Sequence, residues 1–470
     1  MQEYDIVIGL EVHAELKTNS KVFCSCKNKF GATPNTNCCP VCIGLPGALP
    51  VLNKKAVELV IKAGLTMGCK INNFTEFERK NYFYPDLAKA YQISQLVRPI
   101  CIGGHVDLKE RSIRLNRIHL EEDAGKLIHS TQAIGTLIDY NRGGVPLMEL
   151  VTEPDISSAE EAVEFLTTLR QRLIFADVAE CKMEQGGMRC DVNVSVKPKG
   201  SNTLGARTEM KNVNSFKSVY RAIKYESNRQ IEIIENGGTI TQETRKWDDN
   251  HGKSVTMRKK ETSQDYRYFP DPDMLAVEIS REEVQKIKDS LPPMPEELKK
   301  KYIEEYKLTE YDADVITKDR DIIKYFEDTI KLYNNPKVIA NWLLTDILSK
   351  IKDEENAEIK ISPEKLAKIL TLLEQSKISR TVAKEIFAKV WDDDADVDKL
   401  AKEMGGSVDE DSLKTLISNI IANNPKAVED YHTSDTPEKV FRWFVGQVMK
   451  ETRGKANAPM AEQIIKDLLK

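Results

Sequence analysis

The sequence has no long hydrophobic run. No segment of its 470 residues approaches the roughly 18 consecutive apolar residues of a membrane span. Residues 1–5 also lack the basic region, followed by an apolar region, that begins a secretory signal peptide. These two absences argue against an integral membrane protein and against export, so we expect a cytoplasmic protein without membrane contact.

An excess of positive charge and the common nucleotide-binding loop are missing as well. The net charge of −5 argues against a protein that coats nucleic acid by bulk electrostatics, although a local basic surface remains compatible with it. Gly252-Lys253-Ser254 resembles the end of a P-loop, but Trp247 stands where the first glycine belongs. Neither a G-x-S-x-G elbow nor an H-E-x-x-H helix is present. If the chain uses ATP, carboxylates must therefore hold the metal.

The length and the change of character along the chain predict several domains. A chain of 470 residues exceeds what one hydrophobic core usually holds. Residues 1–293 mix strand patterns, turn residues and some helical patterns, which predicts an α+β domain. After a proline cluster at 291–295 the patterns become helical and rich in Lys and Glu. We expect a helical domain over 294–405 and a small helical tail domain over 406–470, separated at Gly405-Gly406.

Individual elements are predicted from periodicity and capping residues. In the first domain they are strands at 8–16, 113–120, 190–196 and 207–210, and a helix at 157–173. Beyond the proline cluster they are helices at 295–306, 336–352, 362–375 and 379–391.

The first predicted strand carries a row of polar side chains. Apolar residues at 10, 12, 14 and 16 alternate with Glu11, His13 and Glu15. Because successive side chains of a strand point to opposite faces, the three polar residues share one face. Such a row suits a hard divalent cation and its phosphate ligand. A hydrogen-bonded strand histidine remains the alternative for His13.

Four cysteines are spaced like the ligands of a zinc ion. Cys24 and Cys26 form a C-x-C pair, and Cys39 and Cys42 form a C-x-x-C pair after twelve intervening residues. Two such pairs can place four thiolates around one tetrahedral metal, and a closed shell of four ligands indicates a structural zinc. Free surface thiols and a redox-active pair of Cys39 and Cys42 remain alternatives, and Cys38 is an additional thiol.

Further carboxylates stand in segments of unusual local chemistry. Glu122 belongs to three adjacent acids before a glycine turn, Glu149 interrupts an apolar run, and Asp191 opens an alternating strand pattern. Glu209 lies between two bases. Together with the polar row of the first strand they match an oxygen-rich site with one imidazole, suited to Mg²⁺ and polyphosphate. Each acid taken singly is more often a surface or salt-bridged residue than a ligand, and the spacing does not prove that they converge.

Bases and aromatic residues alternate in two segments. Residues 79–86 combine Lys80 and Tyr82 with a further base and two further aromatics, and residues 265–271 place Arg267 among aromatics. Such combinations can neutralise phosphates and stack on unpaired RNA bases. Core aromatics beside Lys and Arg side chains that reach to solvent are the alternative.

Taken together, these segments resemble the B subunits of the aspartyl/glutamyl-tRNA amidotransferases. The similarity extends over essentially the whole chain, through residues 8–17, 34–53, 79–95, 119–126, 141–155, 182–196, 207–216, 265–273, 445–450 and 454–457. The chain departs from the family pattern at Ala88 and Ala90, where many members carry Pro and Gly, and at the atypical Cys38.

The resemblance implies a catalytic cradle of the glutamine synthetase/guanido kinase-like fold over 1–293, a helical domain, and a tail domain that contacts tRNA. It implies a ligase that phosphorylates the side-chain carboxylate of Glu-tRNA(Gln) or Asp-tRNA(Asn) with ATP and Mg²⁺ and then amidates it. Family members receive ammonia through a channel from a glutaminase A subunit, and a small C subunit completes the heterotrimer.

Site residues follow from the same resemblance. The Mg²⁺ ligands would be His13, Glu122 and Glu149. Glu11, Asp191 and Glu209 would serve the same pocket, through a second metal or through ATP. Contacts with substrate or channel would come from Lys80, Tyr82, Lys89 and Arg267. Glu15 has no counterpart in this set and is expected to be structural.

Two other functions compete with this one. A non-catalytic, zinc-containing RNA-binding protein would leave the acids as a solvated surface, but the polar row of the first strand and the apolar surroundings of Glu149 argue against it. A self-sufficient glutamine-dependent ligase would need a nucleophile motif for glutaminase chemistry, which the sequence does not contain.

Overall fold

A computed structural model describes residues 3–129, 134–259, 265–351, 359–404, 410–433, 437–452, 456 and 458–469. The chain divides into two compact units, Met1–Pro295 and Glu296–Lys470. The first unit mixes strands and helices and the described part of the second is helical, which agrees with the predicted α+β class followed by helices. The division into three domains stays a prediction, and its second boundary at Gly405-Gly406 lies outside the described residues.

The elements of the first unit are numbered in chain order. Its strands are β1 (Tyr4–Glu15), β2 (Lys70–Ile71), β3 (Phe74–Thr75), β4 (Glu78–Asn81), β5 (Tyr91–Ser94), β6 (Cys101–Ile102), β7 (His105–Asp107), β8 (Ser112–Glu122), β9 (Lys126–His129), β10 (Thr136–Asp139), β11 (Pro146–Thr152), β12 (Met188–Pro198), β13 (Thr208–Val213), β14 (Glu243–Asp248), β15 (Lys253–Lys259), β16 (Phe269–Pro270) and β17 (Val277–Glu278). Its helices are α1 (Lys54–Thr66), α2 (Ala159–Phe175), α3 (Phe216–Glu235) and α4 (Arg281–Asp289), with a 3₁₀ turn at Met183–Gln185.

One large sheet organises this unit. Ten strands of the described residues form it, in the order β15-β14-β13-β12-β1-β11-β8-β6-β2, with β7 paired to β8. Neighbouring strands are antiparallel except for the parallel pair of β13 and β14. The strand β1 is therefore central, with β11 on one side and β12 on the other.

The two faces of the sheet have opposite character. Leu10, Val12 and Ala14 of β1 are buried in one hydrophobic core together with the buried residues of α1, α2 and α3. The intervening residues Glu11 and His13 are only partly buried, which confirms the predicted alternation. Three helices thus cover one face, and the other face is left for polar side chains.

The helix predicted at 157–173 is confirmed with a small shift. It runs over Ala159–Phe175, and the Ser158 side chain accepts a hydrogen bond from the Glu161 backbone N–H. This cap satisfies one of the donors that a helix leaves free at its N-terminus.

Helices are the regular secondary structure of the second unit's described residues. Its helices are α5 (Pro295–Glu304), α6 (Glu310–Ile316), α7 (Arg320–Leu332), α8 (Pro336–Trp342), α9 (Leu348–Ile351), α10 (Pro363–Glu374), α11 (Arg380–Asp393), α12 (Val397–Met404), α13 (Glu410–Ala422), α14 (Pro425–Thr433), α15 (Pro437–Glu451) and α16 (Ala458–Leu468). The single helix predicted at 336–352 is interrupted by a π-helical segment, Leu343–Ile347. Among the described residues, no helix has both the length and the apolar character that a membrane crossing requires.

Candidate active site

Polar side chains from five neighbouring strands form a band across the open face of the sheet. On the central strand, Glu11 lies opposite Asp191 of β12, and His13 lies opposite Glu149 of β11. The band continues to β13, where Glu209 is the partner of a β12 residue, and to β8 beyond β11. Because these strands are distant in sequence, only their hydrogen-bond register brings the side chains together.

The first cluster of the band joins one imidazole and two carboxylates. Single ligand atoms of His13, Glu121 and Glu149 all lie within 4.8 Å of one another. His13 Nε2 lies 3.4 Å from Glu149 Oε2 and 3.7 Å from Glu121 Oε1. Both carboxylates are nearly inaccessible, at 2% and 8% exposure for Glu121 and Glu149. We call this set the histidine–carboxylate cluster.

The electrostatics of this cluster favour a cation. Burial, and then the charge of Glu149, raise the pKa of Glu121 to about 7. Burial alone would also raise the pKa of Glu149, but the neighbouring imidazoles of His119 and His13 bring it well below its usual range. Two buried carboxylates at this separation resist ionising together, and a divalent cation between them removes that repulsion. Oxygen ligands with one imidazole suit Mg²⁺ or Mn²⁺.

The structure does not bring Glu122 into this cluster. Alternation along β8 places Glu122 on the face of the buried Leu120, and Glu121 on the opposite face. The Glu122 carboxylate forms an ion pair with Lys89 and accepts a hydrogen bond of 2.9 Å from the backbone N–H of Ile93. Its neighbour Glu121, and not Glu122, therefore lies within reach of His13 and Glu149, and Lys89 pairs with Glu122.

His119 is a further member of the band that the motif did not assign. It lies opposite Glu149 in the strand register, and its Nε2 is 3.6 Å from Glu149 Oε2 and 3.9 Å from Glu121 Oε2. Burial lowers its pKa to about 4, and its Nδ1 has no hydrogen-bond partner among the described residues. Two imidazoles therefore flank the two carboxylates. The sequence signal was the same alternation that relates Glu121 to His119.

The second cluster consists of three carboxylates. Oxygen atoms of Glu11, Asp191 and Glu209 lie within 4.8 Å of one another. Lys211, two residues beyond Glu209 on β13, forms an ion pair with Asp191, and its Nζ is 3.4 Å from Glu209 Oε1. Burial lowers the pKa of Lys211, but Asp191 and Glu209 raise it by more, so the ammonium stays charged. We call this set the three-carboxylate cluster.

Lys80 and Tyr82 lie near the histidine–carboxylate cluster. Lys80 Nζ is 5.9 Å from the ring centre of Tyr82 and 5.1 Å from that of Tyr266. Burial lowers the pKa of Lys80, but Glu121 and other nearby groups raise it by more, so the net shift is upward. Arg267 follows Tyr266 and is exposed. The structure thus brings the first two residues to the cluster and leaves the Arg267 side chain in solvent.

A cavity of about 370 Å³ adjoins the three-carboxylate cluster. Glu11 lines it, together with Gly9 from the same strand and Ser195 from β12. Leu204 and Arg207, from the segment before β13, line it as well. The cavity is therefore lined by apolar side chains, by backbone groups and by one guanidinium, and it lies next to a candidate cation site.

The four spaced cysteines also converge. Their sulfur atoms lie within 4.8 Å of one another, with Cys42 Sγ 4.0 Å from Cys26 Sγ and 3.7 Å from Cys39 Sγ. Four sulfurs in a tetrahedron around zinc, each at about 2.3 Å from it, lie about 3.8 Å apart. Cys38 is oriented elsewhere, with its sulfur 3.8 Å from Asn141 Oδ1. The arrangement fits a zinc ion on Cys24, Cys26, Cys39 and Cys42.

Comparisons with known proteins agree with this architecture. Residues 6–285 match the family model of the GatB/GatE catalytic domain, and residues 324–469 match that of the GatB domain. The aspartyl/glutamyl-tRNA(Asn/Gln) amidotransferase B subunit of Caldicellulosiruptor bescii is 49% identical, over 99% of this chain and 99% of its own. The proteins of the same name from Thermoanaerobacter pseudethanolicus and Carboxydothermus hydrogenoformans are 48% and 47% identical, over 99% and 100% of this chain and 99% of their own. The resemblance seen in the sequence is confirmed, and this chain belongs to the family of aspartyl/glutamyl-tRNA(Asn/Gln) amidotransferase B subunits.

Proposed function

We propose that this chain is the ATP-using B subunit of a glutamine-dependent tRNA amidotransferase. It phosphorylates the side-chain carboxylate of Glu-tRNA(Gln), Asp-tRNA(Asn) or both, and ammonia then displaces the phosphate to leave the amide. The observation that carries this proposal is the band of two carboxylate clusters on one sheet face beside a cavity. The substrate class comes from the relatives, whose names describe them as subunits of aspartyl/glutamyl-tRNA(Asn/Gln) amidotransferases.

The chemistry explains why such a band is needed. A carboxylate does not react with ammonia, because oxide is a very poor leaving group, and phosphorylation supplies a better one. Bound Mg²⁺ neutralises negative charge during the phosphoryl transfer. His13, Glu121 and Glu149 would hold one ion, and Glu11, Asp191 and Glu209 would hold a second or orient the ATP phosphates.

The remaining side chains have positions that suit the two substrates. The nucleotide would occupy the cavity beside Glu11, where Arg207 can meet a phosphate. The ammonium of Lys80, held among tyrosine rings, would face the charged substrate group near Glu121. Tyr82 and Tyr266, whose ring centres are 6.1 Å apart, offer faces on which the terminal base of a tRNA can stack.

The other expectations extend this proposal. The sheet of the first unit would be the cradle of a glutamine synthetase/guanido kinase-like fold, and the cysteine site would hold a structural zinc. Ammonia would reach the cradle from an A subunit within a heterotrimer completed by a C subunit, in the cytoplasm. The helical tail domain would contact the tRNA.

A non-catalytic, zinc-containing RNA-binding protein is the alternative, and the buried acids argue against it. An RNA-binding surface gains nothing from carboxylates that repel phosphate, least of all from Glu121 and Glu149, which are buried side by side. Their burial lowers stability unless a ligand compensates it.

The deciding experiment follows the γ-phosphate. The complex of this chain with its A and C partners is incubated with Mg²⁺, ATP radiolabelled at the γ-phosphate, and Glu-tRNA(Gln) or Asp-tRNA(Asn). We expect phosphate release that depends on the charged tRNA and, with glutamine, formation of the amidated tRNA. Glu121→Gln should abolish both while tRNA binding survives, whereas Glu15→Gln, a matched change on β1 outside both clusters, should retain them. Normal turnover by Glu121→Gln would refute the cation assignment.

A further inference from the structure

The three-carboxylate cluster contains its own cation. Lys211 follows Glu209 by two residues on β13, so both side chains project from the same face. The Lys211 ammonium pairs with Asp191 Oδ2 and lies 3.4 Å from Glu209 Oε1. Glu11, the third carboxylate, instead accepts a hydrogen bond of 3.0 Å from Asn193 Nδ2.

The histidine–carboxylate cluster is compensated differently. Glu121 and Glu149 have imidazoles at 3.4 to 3.9 Å, and the guanidinium of Arg117 reaches Glu149 Oε1 at 4.0 Å. The Arg117 guanidinium thus lies at the outer limit of an ion pair with Glu149, whereas the Lys211 ammonium pairs directly with Asp191 Oδ2.

We propose that Lys211 is a built-in counter-ion that competes with a divalent cation for the three-carboxylate cluster. Mg²⁺ and Mn²⁺ bind carboxylate oxygens at about 2.1 Å. An ammonium that pairs with the same oxygen must move away when the metal ion binds, or it stays and repels the metal ion electrostatically. Lys211 has a flexible stem and a side chain that is 34% exposed, so it can withdraw toward solvent. The proposal rests on the proposed function, since it assumes that this cluster takes a cation during the reaction.

The effect of removing the charge has a distinctive direction. Lys211→Met keeps the length and apolar stem of the side chain and deletes the ammonium. If Lys211 competes with the metal, Mn²⁺ affinity at this cluster rises, by about tenfold for one unit charge at a partly exposed position. If Lys211 only supports the fold, its loss lowers both thermal stability and Mn²⁺ affinity. Lys211→Arg keeps the charge and is the matched control.

In the experiment the full-length chain is titrated with Mn²⁺, and the concentration of free Mn²⁺ is measured by electron paramagnetic resonance. Glu149→Gln is present in every sample to weaken the first cluster, so that binding to the second is resolved. We expect tighter Mn²⁺ binding with Lys211→Met, and affinity no higher than that of the parent with Lys211→Arg. Lys211→Gln replaces Lys211→Met if circular dichroism shows that the methionine variant is unfolded.

The outcomes separate this inference from the proposed function. Unchanged or weaker Mn²⁺ binding in the charge-removing variant overturns the competition. Absence of Mn²⁺ from the second cluster in parent and variant alike overturns it too, while the phosphorylation assay with Glu121→Gln still decides the proposed function. Tighter binding confined to the variant without the ammonium supports the inference.

Discussion

At the scale of single residues, the decisive distinction is between two adjacent acids. Glu121 and Glu122 are chemically identical and both nearly inaccessible, at 2% and 3% exposure. Strand parity gives them different neighbours, since one faces His13 and Glu149 and the other faces Lys89. A motif match shows that acids are present at these positions but not which face of the sheet each one occupies. It therefore cannot tell which of the two adjacent acids lies near His13.

The different roles of these acids lead to a first prediction. Glu122→Gln leaves the Lys89 ammonium buried without its counter-charge, so we expect the free energy of unfolding to fall by about 3 kcal/mol. Mn²⁺ binding should remain, because the histidine–carboxylate cluster is intact. Urea unfolding and a Mn²⁺ titration of the same sample measure the two effects. Loss of Mn²⁺ binding without loss of stability would contradict this prediction and would indicate that Glu122 is a metal ligand.

The backbone at Ala90 leads to a second prediction. Ala90 has φ +62°, in the left-handed region that glycine adopts without strain. Ala90→Gly should therefore stabilise the protein by about 1 kcal/mol, because the relief of backbone strain exceeds the entropy that glycine adds to the unfolded chain. Ala206 is an exposed loop alanine outside the left-handed region, and Ala206→Gly should destabilise slightly. Thermal unfolding of both variants checks the sign, and equal shifts would contradict the argument.

At the scale of elements, the cysteine loop and the strand β1 were the most readable parts of the sequence. Both depend on short-range spacing, either two cysteine pairs joined by a loop or a period of two along one strand. The convergence of Cys24 and Cys26 with Cys39 and Cys42 agrees with the spacing. The helical segment predicted over 336–352 is confirmed over its described residues, and Leu343–Ile347 within it is π-helical. Apolar periodicity does not distinguish the two hydrogen-bond patterns.

The cysteine loop leads to a third prediction. The wild-type chain should contain zinc by elemental analysis, and Cys42→Ser should lose it together with thermal stability, because a closed thiolate shell loses a ligand. Cys38→Ser is the matched control, since the Cys38 sulfur lies beside Asn141. Retention of zinc by Cys42→Ser, or absence of zinc from the wild type, would contradict the assignment.

At the scale of the whole molecule, the chain consists of two compact units with cores of their own. The band of carboxylates, the cavity and the cysteine site all belong to Met1–Pro295. The helical unit has a separate core of buried apolar residues around Phe444 and Ile465. The candidate catalytic and metal-binding residues therefore all lie in the first unit, and the second unit is a helical structure with its own core.

This division leads to a fourth prediction. A fragment of residues 1–295 should fold cooperatively and keep Mn²⁺ and ATP binding, because the clusters and their supporting core lie within it. Its affinity for tRNA should fall about tenfold or more if the helical tail supplies phosphate contacts. Calorimetry and a filter-binding assay measure the two properties. Undiminished tRNA affinity would remove the tail from the interface.

The sequence by itself determined the family, the α+β character of the first unit, the polar face of β1 and the spacing of the four cysteines. Each of these depends on residue identity or on neighbours within a few positions. Only the tertiary structure decided that Glu121 rather than Glu122 meets His13, that His119 flanks it, and that Lys211 lies on Asp191. The physical reason is strand register: His13 meets Glu149, and Glu11 meets Asp191, through hydrogen bonds between strands far apart in the chain. A local pattern records which side chains share a face, and the pairing of distant strands decides which of them converge.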